Sequence, residues 1–229
     1  MLVNSISSCY VQDRTVRCDE MTALQIANDN LDTAKRQQIL DGARRCFLVQ
    51  GFDGTSMNEI VRAAGVSKGT VYAYFPSKEK LFEALIFQDR RHQAEQAVVI
   101  GDESRPIEQV LHDLAFRMAA MFKSPDTVAY VRLVVAVADK FPDIGRAFYE
   151  AGPDYANRII AAYLKRKMDD GTLRQSDPRL SAMQFCELVQ CGLMKPRLFA
   201  AESIAGAFEV EQVIESGLAL FLGGMKQQN

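Results

Sequence analysis

Residues 56–77 read SMNEIVRAAGVSKGTVYAYFPS, and the punctuation of that stretch limits what the chain can fold into more than any other feature. Ser56 followed three residues later by Glu59 is a capping-box signature. It opens a helix whose apolar residues Met57, Ile60, Val61 and Ala64 share one face. Gly65 breaks that helix. Ser67 caps a second, short helix, which must stop before Pro76 because the residue preceding a proline is pushed out of helical conformation. Ser77 then caps a long helix running to about Val99. A helix, a tight turn with glycine and a second helix make a helix-turn-helix.

In the short helix, Val71 and Phe75 turn inward with Val66. Lys68, Gly69, Thr70, Tyr72 and Tyr74 are left outside. A solvated helix rarely presents two tyrosines to water. A helix lying on a phosphate backbone can use both hydroxyls, and Gly69 lets it approach closely. The plainer alternative is that both tyrosines pack on the next helix. The charge distribution favours the first reading. The 229-residue chain has a net charge of −2, but residues 33–91 hold ten Lys/Arg against six Asp/Glu. An anionic partner feels that local excess rather than the total.

These residues carry a resemblance. The stretch 51–85, GFDGTSMNEIVRAAGVSKGTVYAYFPSKEKLFEAL, resembles the DNA-binding domain of the TetR family of one-component bacterial regulators. The matching pattern runs from Gly51 and Thr55 through Ile60, Ala64-Gly65-Val66, Gly69, Tyr72 and Tyr74-Phe75 to Lys78 and Leu81. The resemblance implies an all-α fold, a homodimer, a double-stranded DNA operator as partner, and a second domain that binds a small-molecule effector and releases DNA. Carried over residue by residue, it places Thr55, Ser56, Lys68, Gly69, Thr70, Tyr72, Tyr74 and Lys78 at DNA-contacting positions. Ala73 stands where some members have a larger, base-reading side chain. The segment from ADKFPDIGRAFYEAG to SAMQF (138–185) resembles the C-terminal domain of AefR-like members.

The expected organisation is a flexible N-terminal extension over 1–32, a helix-turn-helix DNA-binding domain over 33–80, and a helical ligand-binding and dimerisation domain over 81–229. Met21 is an alternative start. The second domain is helical by pattern, with the run VRLVVAVA (131–138) apolar nearly all round and therefore expected to be buried. Aromatic and methionine side chains fill irregular spaces and adapt to varied ligands. Phe116, Met121, Phe122, Tyr130, Phe148, Tyr155 and Phe185 are the candidate pocket residues, with Phe141, Met183 and Met194 of the same type; ordinary core packing is the alternative for each. Arg132, inside the apolar run, needs a partner: an acid such as Asp139, or an anionic ligand. Val210, Val213, Ile214, Gly217, Leu218 and Phe221 form a stripe on the last helix; a chain-end helix can satisfy such a stripe against its own core, and the resemblance implies instead a two-fold four-helix dimer interface made with the preceding helix.

Catalytic and metal chemistry is not indicated. His92 and His112 lack ligand spacing. Cys186 and Cys191, five apart on a helix, read as two packing thiols rather than a redox pair. There is no phosphate-binding glycine loop, nucleophile elbow or zinc-protease motif. No apolar run is long enough to span a membrane and no signal peptide is recognisable. Five cysteines without framework spacing fit a reducing cytoplasm. The reading is a cytoplasmic, DNA-binding transcriptional regulator without a cofactor: a homodimeric repressor released from a palindromic operator by a hydrophobic or aromatic ligand. A ligand-independent regulator or activator, and a helical interaction protein that does not bind DNA, are the alternatives.

Overall fold

The computed structural model describes the backbone from Cys9 to Lys226, apart from residues 202, 203 and 205, and the side chains from Asp32 onward within that span. Of the extension expected over 1–32, residues 1–8 and the side chains of residues 9–31 fall outside the described residues. The fold is all-α. Among the described residues the only β-type pairing is an isolated bridge between Leu173 and Lys226.

Helix α1 spans Cys9–Gly54 and is broken at Gly51, whose φ of 73° lies in a region that L-residues other than glycine rarely adopt. Helices α2 (Met57–Ala64) and α3 (Lys68–Tyr74) follow the boundaries that the caps dictate. Ser56 and Glu59 form the reciprocal capping box: the Ser56 N–H donates to Glu59 Oε2 at 2.7 Å, and the Glu59 N–H donates back to Ser56 Oγ at 3.3 Å. Gly65 adopts the left-handed conformation at φ 65°, and its N–H donates to the carbonyls of Val61 and Arg62. The α2 carbonyls left over are met from α1, by Gln38 Nε2 on Ala64 O at 2.7 Å and by Arg45 Nη2 on Ala63 O at 2.5 Å. Gly42 lets α1 and α2 touch, since a Cβ there would sit 2.7 Å from the Ala64 backbone.

Ser77 caps α4 (Lys78–Ala97), and its hydroxyl accepts from the Lys80 N–H. This helix belongs to two cores. Its first half contributes Leu81, Phe82, Leu85 and Ile86 to a cluster with Ile39, Leu40, Phe47, Phe52, Ile60, Val71 and Phe75. That cluster also takes in Tyr130, Val134 and Val137 of α6 (Pro125–Ala138) and Ile144 of α7 (Pro142–Tyr149). A string of phenylalanines runs through it, with ring centroids 4.7 Å apart for Phe47 and Phe82, 5.1 Å for Phe52 and Phe82, and 5.4 Å for Phe52 and Phe141. The end of α4 meets a second core built from α5 (Ile107–Lys123), α8 (Tyr155–Asp169), α9 (Pro178–Val189) and the last helix, α11 (Val210–Met225). A four-residue helix, α10 (Lys195–Leu198), precedes α11. Between α7 and α8 the chain stays helical through one π-helical turn, Glu150–Asp154, with Pro153 inside it. The boundary expected at residue 80 thus falls inside a continuous helix that both halves share.

Candidate functional site

Helix α3 shows its polar face to solvent because its apolar residues are consumed by the first core. Lys68, Gly69, Tyr72 and Ala73 are exposed, and Thr70 is half-buried. The Ser67 hydroxyl accepts from the Thr70 N–H at 3.0 Å and lies 2.7 Å from Thr70 Oγ1. The Lys68 ammonium sits 5.7 Å from the centroid of the Tyr72 ring, one turn further on. A Cβ on Gly69 would meet nothing nearer than Ser67 Oγ at 3.8 Å. Packing within the protein therefore does not require a glycine there. A cation, a bare patch of backbone and hydroxyls on one short helix suit phosphate and base-edge contact.

The other residues expected to touch DNA are turned to other tasks. Thr55 is a correction: it is 2% exposed, and its hydroxyl donates to Gly51 O at 2.7 Å, bridging the break at the end of α1. Ser56 is exposed, but its hydroxyl donates to Glu59 Oε2 at 2.7 Å in the capping box. Tyr74 packs half-buried on the first core and its hydroxyl donates to the Asp32 carboxylate, which repels a phosphate and holds the phenol above its ordinary pKa. Lys78 donates to Phe52 O at 2.7 Å and Thr55 O at 3.0 Å, with its ammonium 4.3 Å from the Phe52 ring centroid. It ties the start of α4 to the loop that enters α2.

Further along α4, Asp89 forms a second tie. Arg44 of α1 grips it with the Nε and Nη2 edge of its guanidinium, at 2.9 and 2.5 Å, and the Tyr130 hydroxyl of α6 donates to it at 2.5 Å. The hydrogen bond to Asp89 raises the Arg44 pKa, and burial, then Asp89, raises that of Tyr130. Tyr130 is therefore a structural tie and not a pocket residue.

A cavity of about 250 Å³ lies on the far side of α4, enclosed by α4 to α9. Met121, Phe122 and Phe148 line it as expected, together with Met183 and Met194. The remaining pocket candidates are corrected. Phe116 stacks on His112 at 4.6 Å, Tyr155 lies 3.6 Å beneath the Arg91 guanidinium, and Phe185 is fully buried against Phe221 at 5.4 Å. Arg132 is exposed, and it donates to the carbonyls of Leu198 and Arg197 at 3.1 and 2.5 Å, capping the end of α10. Helix α6 is apolar all round yet leaves Val135 69% exposed, so the run was no sign of complete burial.

Two charged residues line the cavity: the exposed Glu187, which pairs with Lys195, and Arg90, which sequence reading missed. It is 4% exposed, and burial pulls its guanidinium down to about 10, which leaves it a cation at neutral pH. A signal was there: Phe82, Ile86, Arg90 and Ala94 are four apart, so an arginine continues the buried stripe of α4. Cys186 also lines the cavity, and burial pushes its thiol up to about 12, which makes it unreactive.

The stripe on the last helix is corrected as well. Ile214, Gly217, Leu218 and Phe221 are buried in the chain's own second core, and Val210 and Val213 are half-buried against it. A Cβ on Gly217 would stand 3.0 Å from Leu188 O, so α11 lies hard against α9. The outer face of α11 instead carries Ser216, Ala219, Leu220, Gly223 and Gly224, beside exposed Leu180 and Gln184 of α9.

A helix-turn-helix joined by one shared helix to an all-α unit with an internal cavity is the architecture of a one-component transcriptional regulator. The comparisons agree. The family model described as "Bacterial regulatory proteins, tetR family" matches residues 39–85, and that described as "AefR-like transcriptional repressor, C-terminal domain" matches 109–224. The chain is 28% identical over 194 residues to the HTH-type transcriptional repressor AcnR of Corynebacterium glutamicum, covering 84% of this chain and 96% of that one. It is also 28% identical over 197 residues to the HTH-type transcriptional repressor Rv1474c of Mycobacterium tuberculosis, covering 85% and 97%. Among solved structures, the flavonoid-responsive regulator FrrA superposes with a TM-score of 0.75 at 33% identity, covering 86% of this chain and all of that one. The chain belongs to the TetR family of bacterial transcriptional regulators, and its C-terminal domain is of the AefR-like type.

The Lys78 geometry predicts a stability effect without DNA present. Lys78→Ala removes two charge-assisted bonds and leaves Phe52 O with only the Thr55 N–H at 3.3 Å, so it should destabilise the fold by about 1.5–3 kcal/mol. Chemical denaturation of the free protein reads this directly. An unchanged midpoint would return the ammonium to the role of a free phosphate contact.

Proposed function

We propose that the chain works as a homodimeric repressor that holds a palindromic operator through α3 of each subunit and lets go when a small effector fills the cavity on α4. The observation that carries this reading is the pair of neighbours Asp89 and Arg90. Successive helical residues point about 100° apart. Asp89 is held by α6 and by α1, which packs on α2 of the helix-turn-helix, and Arg90 faces the cavity. A change at one is transmitted to the other by turning or sliding a single rigid helix about 30 Å long. The likeness to a regulator described as flavonoid-responsive supports response to a small molecule.

The operator contacts are assigned to Lys68, Gly69, Thr70 and Tyr72. Two subunits then require half-sites about 34–36 Å apart, or a multiple, on one face of the duplex. The outer faces of α9 and α11 are assigned to the dimer. Small residues there allow close approach and Leu220, 65% exposed, supplies an apolar knob, giving a two-fold four-helix interface.

A duplex selected from a random-sequence pool by the purified protein provides the operator probe. Gly69→Leu should keep native helicity and unchanged or slightly raised stability, since a side chain has room and glycine is a poor helix former. It should also lose specific binding. Retention of full operator affinity would reject the docking of α3. Leu220→Glu should leave each subunit folded and give a monomer in sedimentation, because the interface would bury an unpaired carboxylate in each subunit at several kcal/mol. An intact dimer places the interface elsewhere. Asp89→Asn, remote from the DNA-facing surface, should lower operator affinity about tenfold, or about 1.4 kcal/mol, by loosening the joint that sets the spacing of the two α3 helices. Unchanged affinity would mean that the joint does not set that spacing.

A further inference from the structure

We infer that the effector is a compact organic carboxylate, an apolar body with a single negative charge, and that the Arg90 guanidinium in the cavity is its anchor. This rests on the effector-release reading given above.

Arg90 is a charged group taken out of water with no ionic partner among the described residues. Its one hydrogen bond is from Nη1 to Gln93 Oε1 at 2.7 Å, and its Nε–H meets no acceptor at all. The aromatic face of Phe148 covers the guanidinium, with Cζ 4.6 Å from the ring centroid. Other acids near the cavity are engaged elsewhere. Asp89 is held by Arg44, and the exposed Glu187 pairs with Lys195 at 3.5 Å. Breaking or omitting one partner of a buried ion pair is destabilising, so a buried cation left single is kept for a reason other than stability.

The surroundings say what completes the pair. The Nε and Nη2 edge lies against Gly152 of the π-helical turn, so a carboxylate is met through charge-assisted bonds from the part of the guanidinium that lines the cavity. A Cβ on Gly152 would lie 3.3 Å from both nitrogens and crowd that edge. π-Helical turns recur at functional sites, and this one puts a residue without a side chain beside the free donors. The buried Asn157, whose side chain makes no hydrogen bond among the described residues, adds an amide to the same cavity. The remaining wall is apolar and adaptable, with Met118, Met121, Phe122, Met183 and Met194.

Charge and size narrow the class. One guanidinium neutralises one negative charge, so a carboxylate leaves the filled cavity neutral, whereas a phosphate dianion leaves a buried surplus. The cavity of about 250 Å³ exceeds the ~150 Å³ that takes a benzene ring, yet it falls short of the ~300 Å³ at the lower end of drug-sized pockets. A single ring or a short acyl chain bearing a carboxylate fits those limits.

The test uses the full chain with octanoate and benzoate as probes, each against its neutral amide, octanamide and benzamide. Calorimetric titration and thermal shift should show saturable binding of at least one acid, with its amide about 10- to 100-fold weaker. The two acids distinguish an aliphatic from an aromatic effector. Arg90→Gln should erase the preference for acid over amide, and Gly152→Ala should weaken the acid by displacing the guanidinium, since the added Cβ would stand 3.3 Å from Nε and Nη2. Arg90→Met, by removing an unpaired buried charge, should raise the melting midpoint of the ligand-free protein; a lower midpoint with lost helicity would make Arg90 a structural cation and overturn the assignment. Equal binding of acid and amide, a preference that survives Arg90→Gln, or no binding of either acid would also overturn it. Acid binding that depends on Arg90 but leaves operator affinity unchanged would uphold the ligand class and reject the release mechanism instead.

Discussion

Asp89 is the carboxylate on which the arrangement of the two halves depends. Its side chain is 10% exposed, and it is satisfied by three donors from two other helices: two from Arg44 and one from Tyr130. Taking such a carboxylate out of water is unfavourable unless every partner is in place. The node therefore fixes α1, α4 and α6 against one another in a single geometry. The hydrophobic cluster around Phe47, Phe52 and Phe82 holds the same helices together, but apolar contact tolerates sliding, whereas a two-pronged guanidinium contact does not. Lys78 repeats the device one end further along α4, where it binds main-chain carbonyls and so fixes the helix to the entry of α2.

The helix-turn-helix was legible in the sequence because its signals are local. Ser56 with Glu59, Gly65 in the left-handed region, Ser67 and Ser77 act through hydrogen bonds three or four residues long, and each sits where the pattern placed it. The exposed face of α3 was legible for the same reason. What lay beyond was the destination of each polar atom. Nothing within a few residues of Thr55 says that its hydroxyl meets Gly51, and nothing near Tyr74 points to Asp32. The second half was harder still because burial there is set by distant packing. The apolar run around Arg132 reads as buried, and three of its eight residues are exposed. In the polar run around Arg90 only the four-residue spacing from Phe82 and Ile86 hints at burial, and Arg90 is buried. On α11 the stripe of Ile214, Leu218 and Phe221 was identified correctly as apolar, but periodicity cannot tell a face that meets its own chain from a face that meets another copy.

These errors share a cause that bears on the mechanism. A regulator of this architecture keeps its informative residues where local rules are broken: a glycine that its own packing does not require, a lysine turned inward, an arginine buried without a partner. Gly69 and Arg90 are the two clearest cases, and on the proposed reading they stand at opposite ends of one mechanical path. On that reading Gly69 departs from helix propensity where DNA is to approach, and Arg90 departs from charge pairing where an outside charge is to arrive.

The path between them has one rigid member. Helix α4 has no glycine or proline within it, so it offers no hinge between Lys78 and Ala97. On the proposed reading, an anion entering the cavity gains its differential affinity from whatever orientation of α4 best presents the Arg90 guanidinium. That orientation is also constrained, one residue earlier, by the grip of Arg44 and Tyr130 on Asp89. If the two optima differ, the ligand and the operator each favour a different setting of the same helix, and each must weaken the other by the same factor. The coupling then needs no chain of side chains across the molecule. It needs only that two adjacent, oppositely charged residues on a stiff rod be satisfied by different partners, one supplied by the protein and one from outside.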